Sequence, residues 1–298
     1  MSDSNTSEQS DSLLRFLLDD SDIRGEIVTL SKSFQESCLH QDLGKNEIPL
    51  YGEFLASSAL LSALFKRDGL LTLQAQGDGS LRAIAAEANS EGHVRGIVRK
   101  NTDTLNTDKS LSFLDGIGKG NLFLTLDPTE GQRYQGIVPM EHDSLGACLT
   151  DYFDKSEQIP TIVILFANHN QCGGLLLQCL PAHNEKDEEV RARKWQEVEQ
   201  LCATVKEKEF FETDQTTMLY RLFHDQSCRV FEPKNIDFKC SCSRERSAHS
   251  ISALGYEDAQ LLIEEQRRIN IHCEFCGVEY QFNRRDLEGI FDKDQTSH

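Results

Sequence analysis

The chain is short of the residues that mark several protein classes. It has one tryptophan, three methionines and six prolines in 298 residues. It lacks any apolar run near the roughly 18 residues that a membrane-spanning helix needs, its most apolar stretches being Leu55–Phe65 and Ile162–Ala167. Positive charge is also scarce: 31 Lys plus Arg face 49 Asp plus Glu, a net charge of −18. Such an excess repels phosphate backbones and anionic membrane surfaces, which argues against nucleic-acid and membrane partners. The opening Met1–Ser12 has neither a basic nor an apolar segment, so residues 1–12 read as a disordered tail and not as a secretion signal, and a cytoplasmic location is expected. No proline falls between Pro181 and Pro233 and no glycine between Gly174 and Gly255, so the segment between them has no obvious breaker.

What is present is an ordinary globular balance, 38% hydrophobic and 27% charged, in a chain long enough for one sizeable core and a smaller second unit. Over residues 13–183, Leu70–Gln76, Leu81–Ala88, His93–Arg99, Leu122–Leu126, Tyr134–Val138, Thr161–Ala167 and Gly174–Leu180 read as strands, and Gly52–Lys66 and Ser144–Lys155 as helices. Gly77-Asp78-Gly79 and Ser90-Glu91-Gly92 join successive strands as hairpins, so the expected fold is α+β with a mainly antiparallel sheet. Asn184–Gln215 is rich in Glu, Lys, Asp and Arg and reads as helix, with one narrow apolar seam at Trp195, Val198, Leu201 with Cys202, and Val205. Met218, Leu219, Leu222 and Phe223 follow at helical spacing and are expected in a core. The organisation expected is therefore a core domain over 13–183, a helical linker over 184–233 and a small domain over 234–298.

Ten cysteines are too few for a disulfide scaffold in a chain of this size. Cys38, Cys148, Cys172, Cys179, Cys202 and Cys228 are scattered and read as small buried apolar residues. The other four form two close pairs, Cys240-Ser241-Cys242 and Cys273-Glu274-Phe275-Cys276, separated by 30 residues. Each pair can supply two thiolates from a tight turn, so Cys240, Cys242, Cys273 and Cys276 are the expected ligands of one tetrahedral Zn²⁺. Ile269–His272 and Val278–Phe282 flank the second pair as strands, with Gly277 relieving the turn. His249 and His272 are surplus to four thiolates. A metal of this kind can staple a domain too small for a large core, and because thiolates are the oxidisable form of cysteine, the same site can be a redox switch whose metal loss unfolds the domain.

Other chemistries fit less well. A thiol-disulfide oxidoreductase using Cys273 and Cys276 would place its first cysteine at a helix N-terminus, and a β-rich run stands here instead. A zinc deaminase needs a His-x-Glu followed by a Pro-Cys-x-x-Cys, a combination that is absent. Gly116-Ile117-Gly118-Lys119-Gly120 lacks the spacing of a phosphate loop and reads as the turn before a strand. Nucleic-acid binding by the cysteine domain is opposed by 9 Lys plus Arg against 12 Asp plus Glu in residues 234–298.

The two cysteine pairs at this separation, together with Phe238–Arg246, Ser58–Leu61, Gly77–Gly79, Arg133–Gly136, Tyr152-Phe153 with Ser156–Gln158, and Gly173–Gln178, resemble the heat-shock protein 33 family over nearly the whole chain, from about Leu13 to Phe291. That resemblance implies a cytoplasmic, ATP-independent chaperone, not an enzyme, that holds unfolding client proteins under oxidative stress. It implies one zinc in the reduced, inactive state. Activation would follow from disulfides Cys240–Cys242 and Cys273–Cys276 and loss of the metal. It also implies a homodimer when oxidised and a metastable linker, whose switch would be the seam Trp195, Val198, Leu201 and Val205.

Overall fold

The computed structural model describes residues 11–19, 21–65, 68–101, 111–183 and 185–295, with side chains to Phe291. The expected tail lies outside the described residues as far as residue 10, as do Lys66 and Asn184. Its last position is corrected: Ser12 opens a strand and pairs with Thr29. The chain forms two compact units, divided after Lys239.

Two antiparallel sheets make up the first unit. One holds β1 (Ser12–Leu18) and β2 (Ile23–Leu30), which lead into α1 (Lys32–Cys38) and α2 (Ile48–Ser62). The other is built on β3 (Gly69–Gly77), β4 (Leu81–Asn89) and β5 (His93–Lys100), then α3 (Phe113–Ile117), β6 (Gly120–Pro128) and β7 (Tyr134–Val138). After α4 (Leu145–Lys155) the chain returns to the first sheet with β8 (Thr161–Ala167) and β9 (Cys172–Cys179). Three helices follow, α5 (Glu188–Cys202), α6 (Glu207–Glu212) and α7 (Gln215–Leu222), and then the short strands β10 (Cys228–Val230), β11 (Lys234–Asn235) and β12 (Asp237–Phe238). The first sheet runs β10-β1-β2-β9-β8 with β11 also on β1, and the second runs β12-β5-β4-β3-β6-β7. All these pairs are antiparallel except β12 with β5.

The central helix α2 is buried nearly all round, from Leu50 to Leu61, and packs against strands of both sheets. It starts a turn earlier than the sequence suggests because Pro49 serves its first turn, where the missing N–H costs nothing. Gly52 lets its backbone come close, since a Cβ there would meet the Cβ atoms of Ala167 and Cys172 at 2.9 Å.

Each face of the first sheet is covered. Leu13, Val28, Leu30 and Leu176 join the core around α2, while Leu14, Phe16, Leu18, Ile23, Ile27, Leu175 and Leu177 form a second core with the linker helices. There Val198 and Cys202 are fully buried, Trp195, Leu201 and Val205 pack at the margin, and Phe210, Met218, Leu219 and Phe223 complete the layer. The seam read from the sequence thus faces the sheet. The segment is not one helix, however. It breaks at Ala203–Lys206 and again at Thr213-Asp214, where the Asp214 side chain accepts the Thr217 N–H and caps α7.

The first unit also extends past the expected boundary at residue 233. Ile236 is only 3% exposed in the α2 core, and β11 and β12 pair with β1 and β5, so Lys234–Lys239 belongs to the first unit.

The second unit comprises α8 (Arg244–Leu254), α9 (Tyr256–Gln266), the hairpin β13 (Ile269–His272) and β14 (Glu279–Phe282), and α10 (Arg284–Gln295). Among the described residues its core is six buried side chains, Ile251, Ala259, Ile263, Ile269, Phe282 and Leu287. So small a core is the setting in which a structural metal contributes most.

Candidate metal centre

The first cysteine pair sits on the approach to α8. Ser243 caps that helix by accepting the Arg246 N–H, and the Arg246 guanidinium donates back to Ser241 O at 3.0 Å and Ser241 Oγ at 2.8 Å. These bonds fold Cys240-Ser241-Cys242 into a fixed turn. Arg244, next in sequence, lies 4.4 Å over the Phe282 ring, donates to Gln281 O and pairs with Asp286 at 2.9 Å. The turn is thereby tied to β14 and α10.

The second pair occupies the tip of the β13–β14 hairpin. The Cys273 N–H donates to Val278 O at 2.9 Å and the Gly277 N–H to Cys273 O at 2.8 Å. Gly277 has φ 68°, a left-handed conformation that glycine adopts without strain. Cys276 therefore turns back beside Cys273.

The four sulfurs all lie within 4.8 Å of one another, with Cys240 Sγ to Cys273 Sγ 3.6 Å and Cys242 Sγ to Cys276 Sγ 3.4 Å. A tetrahedron with metal–sulfur bonds of 2.3 Å has edges of about 3.8 Å, so the donor set fits one zinc ion. Burial, with the three neighbouring sulfurs, holds the Cys276 thiol well above its ordinary range. Four thiolates so close repel one another unless a cation lies between them. Tyr280 Oη is 3.2 Å from Cys242 Sγ, and this hydrogen bond is the main reason its hydroxyl is pushed up to about 12. Nothing in the sequence pattern singled out Tyr280 or the Arg246 clamp, although Arg246 lies within the motif that carries the resemblance.

Neither histidine near the motif joins the cluster: His272 faces Glu279 at 3.8 Å, and the metal-type group consists of the four cysteines. Cys273 directly follows strand β13 and does not open a helix, which removes the feature that activates oxidoreductase cysteines. Of the remaining six, Cys148, Cys172 and Cys202 are buried, while Cys38, Cys179 and Cys228 are half-buried. Burial pushes the Cys38 and Cys202 thiols up to about 12 and Cys228 to about 11, so these remain protonated at neutral pH. Gly116-Ile117 ends α3 and Gly120 opens β6, so only Gly118-Lys119 links the two, with Gly118 at φ 71°.

The sequence also gave no sign of a buried ion pair at the start of the linker. Arg191 of α5 donates to Asp22 Oδ2 at 2.7 Å and to Leu180 O at 2.7 Å, and it reaches Cys179 Sγ at 3.5 Å. Asp22, in the β1–β2 turn, also accepts the His183 N–H.

Fold and site together define a two-unit α+β protein whose smaller unit is organised on a four-cysteine cluster of zinc-site geometry. The chain belongs to the Hsp33 family: the family model described as Hsp33 protein matches residues 11–283. It is 42% identical over 283 residues to the 33 kDa chaperonin of Pseudomonas aeruginosa (strain LESB58), covering 95% of both chains. It is 40% identical over 281 residues to that of Shewanella denitrificans (strain OS217 / ATCC BAA-1090 / DSM 15013), covering 94% of this chain and 95% of the relative. The crystal structure of the 33 kDa chaperonin (heat shock protein 33 homolog) from Thermotoga maritima has the same fold, with a TM-score of 0.81 at 22% identity, covering 96% of this chain and 99% of that one. No helix among the described residues is long and apolar enough to cross a membrane.

Proposed function

We propose that this protein is a cytoplasmic, ATP-independent holdase with a redox switch, inactive when reduced and zinc-bound and active when oxidised. The observation that carries this reading is the position of α5–α7. This part of the first unit, which precedes the cysteine cluster in the chain, places the apolar side chains Trp195, Val198, Leu201, Cys202 and Val205 over one face of a sheet. A helix whose outer surface is charged and whose seam is narrow has little stability apart from that packing.

In the reduced state Cys240, Cys242, Cys273 and Cys276 would hold one Zn²⁺, which supplies the positive charge that keeps four thiolates together. The Tyr280 hydroxyl donates to Cys242, and Arg246 and Arg244 hold the first turn against the hairpin. Oxidation by a peroxide forms Cys240–Cys242 and Cys273–Cys276. Each disulfide takes two thiolates, one H₂O₂ and two protons and yields two waters, and the two electrons removed from each pair reduce the peroxide. Sulfurs in disulfides no longer bind the metal strongly, and with six buried apolar residues the second unit has too little core to persist. Its loss would release the linker and uncover Phe16, Ile23, Ile27, Leu175 and Leu177 to unfolding clients. A homodimer in the oxidised state belongs to the same reading.

The decisive experiment is thiol titration with zinc quantification before and after peroxide, alongside an aggregation assay. Suppression of aggregation by oxidised protein without ATP, and none by reduced protein, is expected. Equal suppression in both states would leave a constitutive holdase, and catalytic turnover of small disulfides would make the protein an oxidoreductase.

A further inference from the structure

The residues between α7 and Cys240 form a strap along the open edge of β1. In register, Phe16 faces Val230, Leu17 faces Arg229 and Leu18 faces Cys228, and further on Leu13 faces Lys234 and Ser12 faces Asn235. Asp19 N–H donates to Ser227 O at 2.8 Å, Phe231 N–H to Arg15 O at 2.9 Å and Ile236 N–H to Asp11 O at 3.0 Å. The strap then crosses to the second sheet, where Asp237 and Phe238 pair with His93 and Val94 of β5.

This pairing is poor as strands go. From Phe16 to Leu13 is three steps on β1, whereas the facing residues Val230 to Lys234 span four, so the ladder carries a bulge. Pro233 lies in it and has no N–H to give. Between Cys228 and Phe238 only Ile236 is buried. The strap is thus held by main-chain hydrogen bonds, by Ile236 as its one buried side chain, and by further contacts, among them the Arg229–Asp19 ion pair, Lys234 Nζ on Ser90 O, Ser33 Oγ on Ile236 O and the Phe238–His40 stack. It is continuous with α7 at one end and with Cys240 at the other. By contrast, β1 meets β2 in seven consecutive pairs, and on the opposite edge of the sheet Val163 N–H is taken by Thr150 Oγ1 of α4.

We propose that the β1 edge is a docking site for an extended segment of unfolded polypeptide, which the strap Cys228–Phe238 occupies until the linker and the cysteine unit let go. This rests on the holdase reading above and names the surface it uses. An edge strand offers a row of unpaired N–H and C=O groups that accepts any extended backbone, which suits a binder of many unrelated clients. The strap itself shows that an extended chain fits there. Beside the edge, Leu14, Phe16 and Leu18 point to the face that α5–α7 covers, so alternate side chains of a client added at this edge would lie over that apolar row once the helices leave.

Amide exchange separates the edge from the interior of the same strand. Antiparallel alternation, with the three bonds above, turns the Leu13, Leu17 and Asp19 amides toward the strap and those of Leu14, Phe16 and Leu18 toward β2. Exchange should be followed residue by residue in the full-length protein, reduced and after peroxide, without and with reduced carboxymethylated α-lactalbumin as the unfolded client. Co-elution on size exclusion verifies that client is bound. On oxidation the first three amides should speed up by about tenfold or more while the other three stay slow, and added client should slow the first three again. Failure of the client to co-elute overturns the holdase reading and this site with it. Co-elution with Leu13, Leu17 and Asp19 still fast overturns the edge site alone. Full protection of these three amides in oxidised protein without client also overturns it, because the strap has then stayed or a second copy has taken the edge.

Discussion

The guanidinium of Arg191 and the carboxylate of Asp22 meet at 2.7 Å, with the Asp22 side chain 4% exposed, and they tie the first turns of α5 to the turn between β1 and β2. The linker is therefore held at its start by a nearly buried ion pair and along its length by an apolar seam. Arg191→Ala would remove the cation that faces the buried Asp22 carboxylate, at a cost on the order of 3 kcal/mol to the docked state. Faster amide exchange across α5 in the reduced protein, and client binding at lower peroxide, are the expected results. Unchanged exchange would show that the seam alone holds the helix.

Zinc content should follow the four clustered cysteines and no others. Reduced protein is expected to hold one zinc per chain, Cys273→Ser to lose most of it, and Cys148→Ser and Cys172→Ser to keep it. Stripping the metal with a chelator under reducing conditions should unfold the second unit while the first keeps its own transition. Metal analysis and two-probe thermal unfolding test both points, and a Cys273→Ser protein with full zinc would be inconsistent with a four-thiolate site.

Trp195 reports on the seam because it is the sole tryptophan and packs against the second core. Its emission should move to the red when oxidation frees α5, as the indole passes from apolar contact into water. Val198→Asp puts a charge at a position that is fully buried and should shift the emission in reduced, zinc-loaded protein, with activity before full oxidation. A blue-shifted, oxidation-insensitive Trp195 in the variant would contradict the docking role.

Stability should fall with rising pH through the acid side of neutrality. Burial pushes the Glu26 carboxyl up to about 7, against the smaller opposite effects of Arg24 and Arg15, and burial does the same to Glu53. Between pH 4.5 and 7 the folded chain keeps protons that the unfolded chain has released, so unfolding becomes easier as pH rises and levels off above 7. For Glu26 the full effect is about 3 kcal/mol. Glu26→Gln should flatten the slope and be more stable than the parent at pH 8, as read from denaturant midpoints at pH 5 and pH 8. An unaltered slope would mean that Glu26 titrates normally.

The cysteine cluster was legible because its ligands come in two local pairs, and the hairpin that carries the second pair has its turn residue, Gly277, in plain sight. The strands β3 to β9 were legible through alternation and glycine turns. β1 and β2 were not, since Leu13, Leu14 and Phe16 to Leu18 form an almost unbroken apolar run on a strand covered on both faces, which leaves no alternation to read. The linker's three-helix form was hidden for the opposite reason: its breaks use neither proline nor glycine, and only Asp214 with Thr217 signals a cap. Arg191 and Asp22 stand 169 residues apart, so their pairing is a property of the fold alone.

The order of strands in the first sheet bears on how the chain is made. β2 completes its ladder with β9, Ile23 to Cys179 through Leu30 to Cys172, and β1 gains its outer neighbour only with β10 and β11. At roughly 5–20 residues per second on the ribosome, the growing chain carries its first hairpin for on the order of ten seconds before the partner of β2 has been synthesised. During that interval two strands that are largely buried in the finished fold stand with unpaired edges. A protein of a chaperone family thus begins its own life as a nascent chain of the kind that chaperones protect.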